Sequence, residues 1–62
     1  MIRENDVVSA ARDLNDKVPL GSKGTVLMVY PDFPNVFEVE FFDELYETLD
    51  VLTVEGKDLS EL

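Results

Sequence analysis

The sequence predicts an all-β fold: a small barrel of about five short antiparallel strands with a long first loop. Three observations predict it. Runs rich in Val, Leu and Phe recur at roughly ten-residue spacing, separated by clusters of Gly, Pro, Asn and Asp. One run, Val36-Phe37-Glu38-Val39-Glu40-Phe41-Phe42, alternates with the period of a strand that buries one face. No segment reads as a convincing helix over the roughly 12 residues that a free-standing helix needs.

Residues 6–11, Asp6-Val7-Val8-Ser9-Ala10-Ala11, read as the first strand, because β-branched Val7 and Val8 sit in a run of mixed polarity. A helix from Ser9 to Leu14 is the rival reading and is too short to stand alone. Residues 12–22 form a loop built from the turn formers Asp13, Asn15, Asp16, Pro19 and Gly21. It is long beside the usual 2–5 residues, roughly, of a hairpin connection. Val18 and Leu20, on either side of Pro19, are expected to tuck it onto the core.

Residues 24–30 give the second strand. Period two puts Val26, Met28 and Tyr30 on one face and Leu27 and Val29 on the other. A strand apolar on both faces is central, or bends so that each face is buried in turn. Gly24 allows such a bend or a close approach of another backbone. Residues 31–36 turn the chain at Pro31 and Pro34. Phe33 between them either caps the core or stands exposed at a binding surface.

Residues 36–42 are the third strand, with Phe37, Val39 and Phe41 towards the core and Glu38 and Glu40 towards water. Residues 43–47 are a charged connection. Residues 48–54 are the fourth strand, whose apolar phase moves from Leu49 and Val51 to Leu52 and Val54, the mark of a bulge. Glu55-Gly56-Lys57 turns the chain, and residues 58–62 make a single helical turn or a short closing strand with Leu59 and Leu62 inward.

With 62 residues the chain is one domain, residues 1–62. Domains of this size bury only about 60% of their unfolded surface and often lean on a disulfide, a metal or a partner. The absence of Cys and His rules out a disulfide and the usual zinc site. No cofactor is implied, and association with itself or another chain remains as support. At 45% hydrophobic residues the chain is too apolar for a disordered tail. No run approaches the roughly 20 apolar residues of a membrane span. Met1-Ile2-Arg3-Glu4-Asn5-Asp6 lacks the apolar centre of a signal peptide. Cytoplasmic residence without a membrane partner is expected.

The net charge of -9 is placed unevenly. Up to Pro31, Arg3, Arg12, Lys17 and Lys23 balance Glu4, Asp6, Asp13 and Asp16. Beyond it, Lys57 alone faces Asp32, Glu38, Glu40, Asp43, Glu44, Glu47, Asp50, Glu55, Asp58 and Glu61. Such a surface repels phosphate backbones and attracts basic partners.

Gly21-Ser22-Lys23-Gly24 has the look of a phosphate loop, but no helix N-terminus follows to present backbone amides. It reads as a tight turn into the second strand. Glu38, Glu40, Asp43, Glu44, Glu47 and Asp50 form the main acidic stretch. Catalytic carboxylates need a cleft that splits their pKa values, which a half-exposed strand does not offer, and calcium-loop spacing is missing. A solvated face and a docking surface for a basic protein remain. Tyr30, Phe33, Phe42 and Tyr46 lie outside the clean core face. They either anchor an interface or close the barrel ends. Nucleic-acid stacking would need neighbouring Lys or Arg, and only Lys57 lies in that half.

Together, Asp6-Val7-Val8, a long loop, Gly21-x-x-Gly24-Thr25-Val26, Val29-Tyr30-Pro31 and Phe37-Glu38-Val39-Glu40-Phe41 resemble a bacterial SH3-like barrel. In particular they resemble the domain-of-unknown-function family 4926, from Asp6 to Leu62. The Gly-x-x-Gly-Thr-Val portion is also similar to the motif of ribosome- and RNA-associated KOW domains, which are usually basic where this chain is acidic. The resemblance implies no catalytic residues. It implies a companion of a nearby toxin-like or nuclease-like protein, as antitoxin or immunity partner. The expected function is a non-enzymatic module that binds a basic protein. The expected contact residues are Glu38, Glu40, Asp43, Glu44, Glu47 and Asp50, with Phe42 and Tyr46 as anchors. The alternatives are a self-associating or accessory module docked on a larger enzyme, and a KOW-like RNA- or ribosome-associated domain.

Overall fold

Five antiparallel strands form one sheet in the computed structural model, which describes all 62 residues. They are β1 (Val7–Ala10), β2 (Lys23–Val29), β3 (Val36–Phe42), β4 (Thr48–Glu55) and β5 (Leu59–Glu61). A single 3-10 turn, Gly56–Asp58, joins β4 to β5. The sheet order is β4-β3-β2-β1-β5. The expected all-β class and strand positions hold. The rival helix over residues 9–14 does not form, because Ser9 and Ala10 pair with Ser60 and Leu59. At the C-terminal end the closing-strand reading holds, over Leu59–Glu61, and the helical turn lies before it, over Gly56–Asp58, where a plain turn was expected.

β4 and β5 are the two edges of the sheet, yet few residues separate them. From Glu55 to Leu59 the chain can span at most about 14 Å. The edges of a flat five-stranded sheet would stand about 19 Å apart. The sheet therefore curls, and all five strands feed one core of Val8, Ala10, Val18, Val26, Phe37, Val39, Phe41, Val54 and Leu59. It is not closed into a barrel, since no ladder joins β4 to β5. β5 is spent on β1, and the Glu55 N–H at the end of β4 is taken by Asp58.

Gly24 is packed closely by the neighbouring strand. A Cβ there would lie 2.7 Å from Val39 Cγ1, 2.9 Å from Phe41 Cδ1 and 3.0 Å from the Glu40 carbonyl oxygen. Gly24 thus serves the close approach expected of it.

Two bulges set which side chains face the core. In β2 the register slips between Val26, opposite Val39, and Met28, opposite Glu38. Leu27 is the extra residue, so the phase inverts. Val29 turns to the core and Met28 to the outside, and the expected shared face of Val26, Met28 and Tyr30 is corrected. In β4 the slip lies at Leu49, between the pairs Phe41–Asp50 and Phe42–Thr48. Leu49, Leu52 and Val54 then face the core and Val51 is exposed, so the expected bulge forms in β4 but at Leu49, not between Val51 and Leu52 where the apolar phase changes.

Val18 is buried, as expected of the first loop. Leu20 is exposed instead of tucked in. A turn, closed by the Ser22 N–H donating to the Pro19 carbonyl and by Gly21 at φ 88, swings it away from the face Val18 fills. Leu62, expected inward, is exposed beyond the last paired residue. Phe33 is exposed at the β2–β3 turn.

Candidate acidic interface

Strict alternation along β3 places Glu38, Glu40 and Phe42 on the side of the sheet away from the core. Register sets Val7, Thr25, Glu40 and Val51 in one row across this outer face, and Met28, Glu38 and Thr53 in the next. Neutral hydroxyls hold both carboxylates. Glu38 Oε1 accepts from Thr53 Oγ1 at 2.5 Å and from the Tyr30 hydroxyl at 3.3 Å. Glu40 Oε2 accepts from Thr48 Oγ1 at 2.5 Å. The second oxygen of each has no donor within the chain. Exposed Val7, Leu27, Met28 and Val51 lie around them, so the face mixes acidic and apolar side chains.

The connection from β3 to β4 is a tight turn that Asp43 organises. The Tyr46 N–H donates to the Asp43 carbonyl at 3.0 Å, and the Asp43 N–H to the Glu47 carbonyl at 2.9 Å. Asp43 Oδ1 also accepts the N–H groups of Leu45 and Glu47, at 2.8 and 3.0 Å. This carboxylate is turned inward upon its own loop. Tyr46 sits at φ 63, in the left-handed region that Gly or Asn fills most easily. Its ring stacks on Phe42 with centroids 5.5 Å apart, yet the residue is 81% exposed. Leu45, Glu44 and Glu47 beside it are exposed as well.

Asp50 departs from the group. It lies opposite Phe41, out of step with Glu38 and Glu40. Its carboxylate accepts from Asn15 Nδ2 in the first loop at 3.0 Å and from the Val51 N–H at 2.9 Å. The sequence-expected residues thus divide three ways. Glu38 and Glu40 share the outer face, Phe42, Asp43, Glu44, Tyr46 and Glu47 gather at the turn, and Asp50 belongs to the rim. An open groove separates the turn from the first loop, with Phe42, Glu44 and Tyr46 on the turn side and Lys17 and Leu20 on the loop side. Sequence reasoning missed the loop side. The only signal was an apolar residue between Pro19 and Gly21.

Two ion pairs form in the chain, Met1 ammonium with Glu61 and Arg12 with Asp58. Asp58 is buried and caps the 3-10 turn by accepting the Glu55 N–H at 3.0 Å. Burial pushes its carboxyl up. The Glu55 N–H, the Arg12 guanidinium and Lys57 outweigh burial and hold it below its ordinary value. No cation pairs with Glu38, Glu40, Asp43, Glu44, Glu47 or Asp50. No group of acidic side chains has the arrangement of a metal site. No helix is long and apolar enough to cross a membrane.

A family model described as a domain of unknown function, DUF4926, matches residues 4–61. No curated protein matches the chain, and no solved structure does.

Proposed function

We propose, for a chain that belongs to the DUF4926 family, that it works as a non-enzymatic, acidic module that binds a basic protein. One observation carries this reading. Of the carboxylates beyond Pro31, only Asp58 and Glu61 meet a cation within the chain. The others repel one another, and a cationic partner relieves that repulsion. Glu38 and Glu40 offer fixed carboxylates on a mixed apolar face, Glu44 and Glu47 add to the field, and Phe42 and Tyr46 supply aromatic anchors. Asp43 and Asp50 act from behind, one shaping the turn and the other the rim. A nuclease-like toxin in the cytoplasm is the most concrete partner, since an acidic surface competes with nucleic acid for a phosphate-binding site. The same field argues against a KOW-like role on RNA.

The test begins with capture of a basic partner from native cells at low salt. The double reversal Glu38→Lys and Glu40→Lys is then expected to slow its association by about tenfold and to weaken the salt dependence of the rate. Rates equal to wild type would overturn the reading. Exposed Leu45 and Tyr46 favour a second reading, a module that docks on its own copy or a larger enzyme through apolar contacts. Association insensitive to both reversals and to salt would select it.

A further inference from the structure

β4 has a neighbour on one side only, and its free edge can be read group by group. The Gly56 N–H donates to the Asn35 carbonyl, one step beyond the pair Val36–Glu55. Hydrogen-bonded pairs alternate along an antiparallel ladder. Leu52 and Val54 therefore bond to β3, and the N–H groups of Val51, Thr53 and Glu55 point away from it. This row could receive another strand. The Val51 N–H instead donates to Asp50 Oδ1, and the Glu55 N–H to Asp58 Oδ2. Thr53 alone keeps a free donor. Thr48 lies beyond the bulge at Leu49 and does not extend the row.

We propose that Asp50 and Asp58 close the free edge of β4 to strand addition by occupying its outward N–H groups. Both carboxylates are held for the task from elsewhere in the chain. Asn15 donates to Asp50 across 35 positions, and its own side-chain oxygen accepts the N–H groups of Lys17 and Val18, which fixes it. Arg12 Nε donates to Asp58 across 46 positions. The segment needs such protection. Thr48-Leu49-Asp50-Val51-Leu52-Thr53-Val54 is rich in β-formers, has no Pro, and carries Asp50 as its single charge. The occupant it excludes is a second copy. Two β4 strands laid antiparallel about Thr53 would set each Val51 N–H against the Glu55 carbonyl of the other, and each Glu55 N–H against the Val51 carbonyl. The carboxylates hold all of these donors.

Amide hydrogen exchange in the wild-type chain tests this directly. Val51 and Glu55 are expected to exchange at least about tenfold more slowly than Thr53, although all point off the sheet. Asp50→Ala, which removes the acceptor, is expected to gain a concentration-dependent mass that approaches two chains. Asp50→Asn combined with Asn15→Asp exchanges donor and acceptor between the two side chains, keeps an oxygen for the Val51 N–H, and is expected to match wild type. Adding Thr53→Pro to Asp50→Ala is expected to restore the wild-type mass, because Pro at an outward edge position costs no bond to β3. Val51 exchanging as fast as Thr53 would overturn the proposal, and so would an Asp50→Ala chain whose mass follows wild type at every concentration. Association of the Asp50→Asn, Asn15→Asp double variant, or association that survives Thr53→Pro, would also refute it. Should Asp50→Ala fail to fold, the wild-type exchange rates decide alone.

Discussion

Asp58 shows how one side chain can tie distant parts of a small chain together. It is buried, accepts the Glu55 N–H, and pairs with Arg12 at 2.9 Å. Its carboxyl is held below the ordinary value, so at acid pH the unfolded chain takes up this proton before the folded one does. The stability it lends is fully present above the unfolded value of about 3.9 and is lost as pH falls through the folded value. Arg12→Ala removes one of the influences that lower it. Acid unfolding, followed by circular dichroism, is then expected to begin at higher pH than in wild type. At neutral pH the loss should be about 1 kcal/mol, since the guanidinium is mostly exposed. An unchanged acid midpoint would mean that the Glu55 N–H suffices.

Among the elements, the β3–β4 turn holds its strain in the open. Tyr46 at φ 63 costs roughly 1 kcal/mol relative to Gly, and an exposed stack on Phe42 returns about half of that. Tyr46→Gly is therefore expected to unfold in urea at the wild-type concentration or slightly above, with a gain of no more than about 0.5 kcal/mol, which the greater freedom of Gly in the unfolded chain reduces. A loss greater than that would show the ring to be structural. The strands themselves were legible where apolar and polar residues alternate. Phe37-Glu38-Val39-Glu40-Phe41 gave β3 its bounds and faces, and the broken alternation from Leu49 to Val54 gave the presence of a bulge in β4 but not its place at Leu49. The bulge at Leu27 was hidden, because Val26-Leu27-Met28-Val29 is apolar throughout and carries no phase. Of the site, the outward aim of Glu38 and Glu40 could be read, since it follows from the same period. The tasks of Asp43 and Asp50 could not. One depends on the type of turn, and the other on Asn15, brought near only by folding.

At the scale of the molecule, charge and fold work against each other. A net charge of -9 on 62 residues, with few internal ion pairs, leaves long-range repulsion in the folded state. Raising salt from about 0.01 to 0.15 M shortens the screening length from about 30 to 8 Å. Stability by thermal melting is expected to rise over that range. A fall would mean that the local pairs at Arg12 and Met1 outweigh the overall repulsion. The Met1 ammonium lies 3.0 Å from Glu61, in a hollow shared with Asn35 and Gly56. Both ends of the chain thus leave beside the Val36 end of β3. The strand is about 20 Å long, and the Phe42–Tyr46 stack stands at its far end. A tether fixed to either terminus would therefore grip the molecule like a handle and leave the aromatic tip clear.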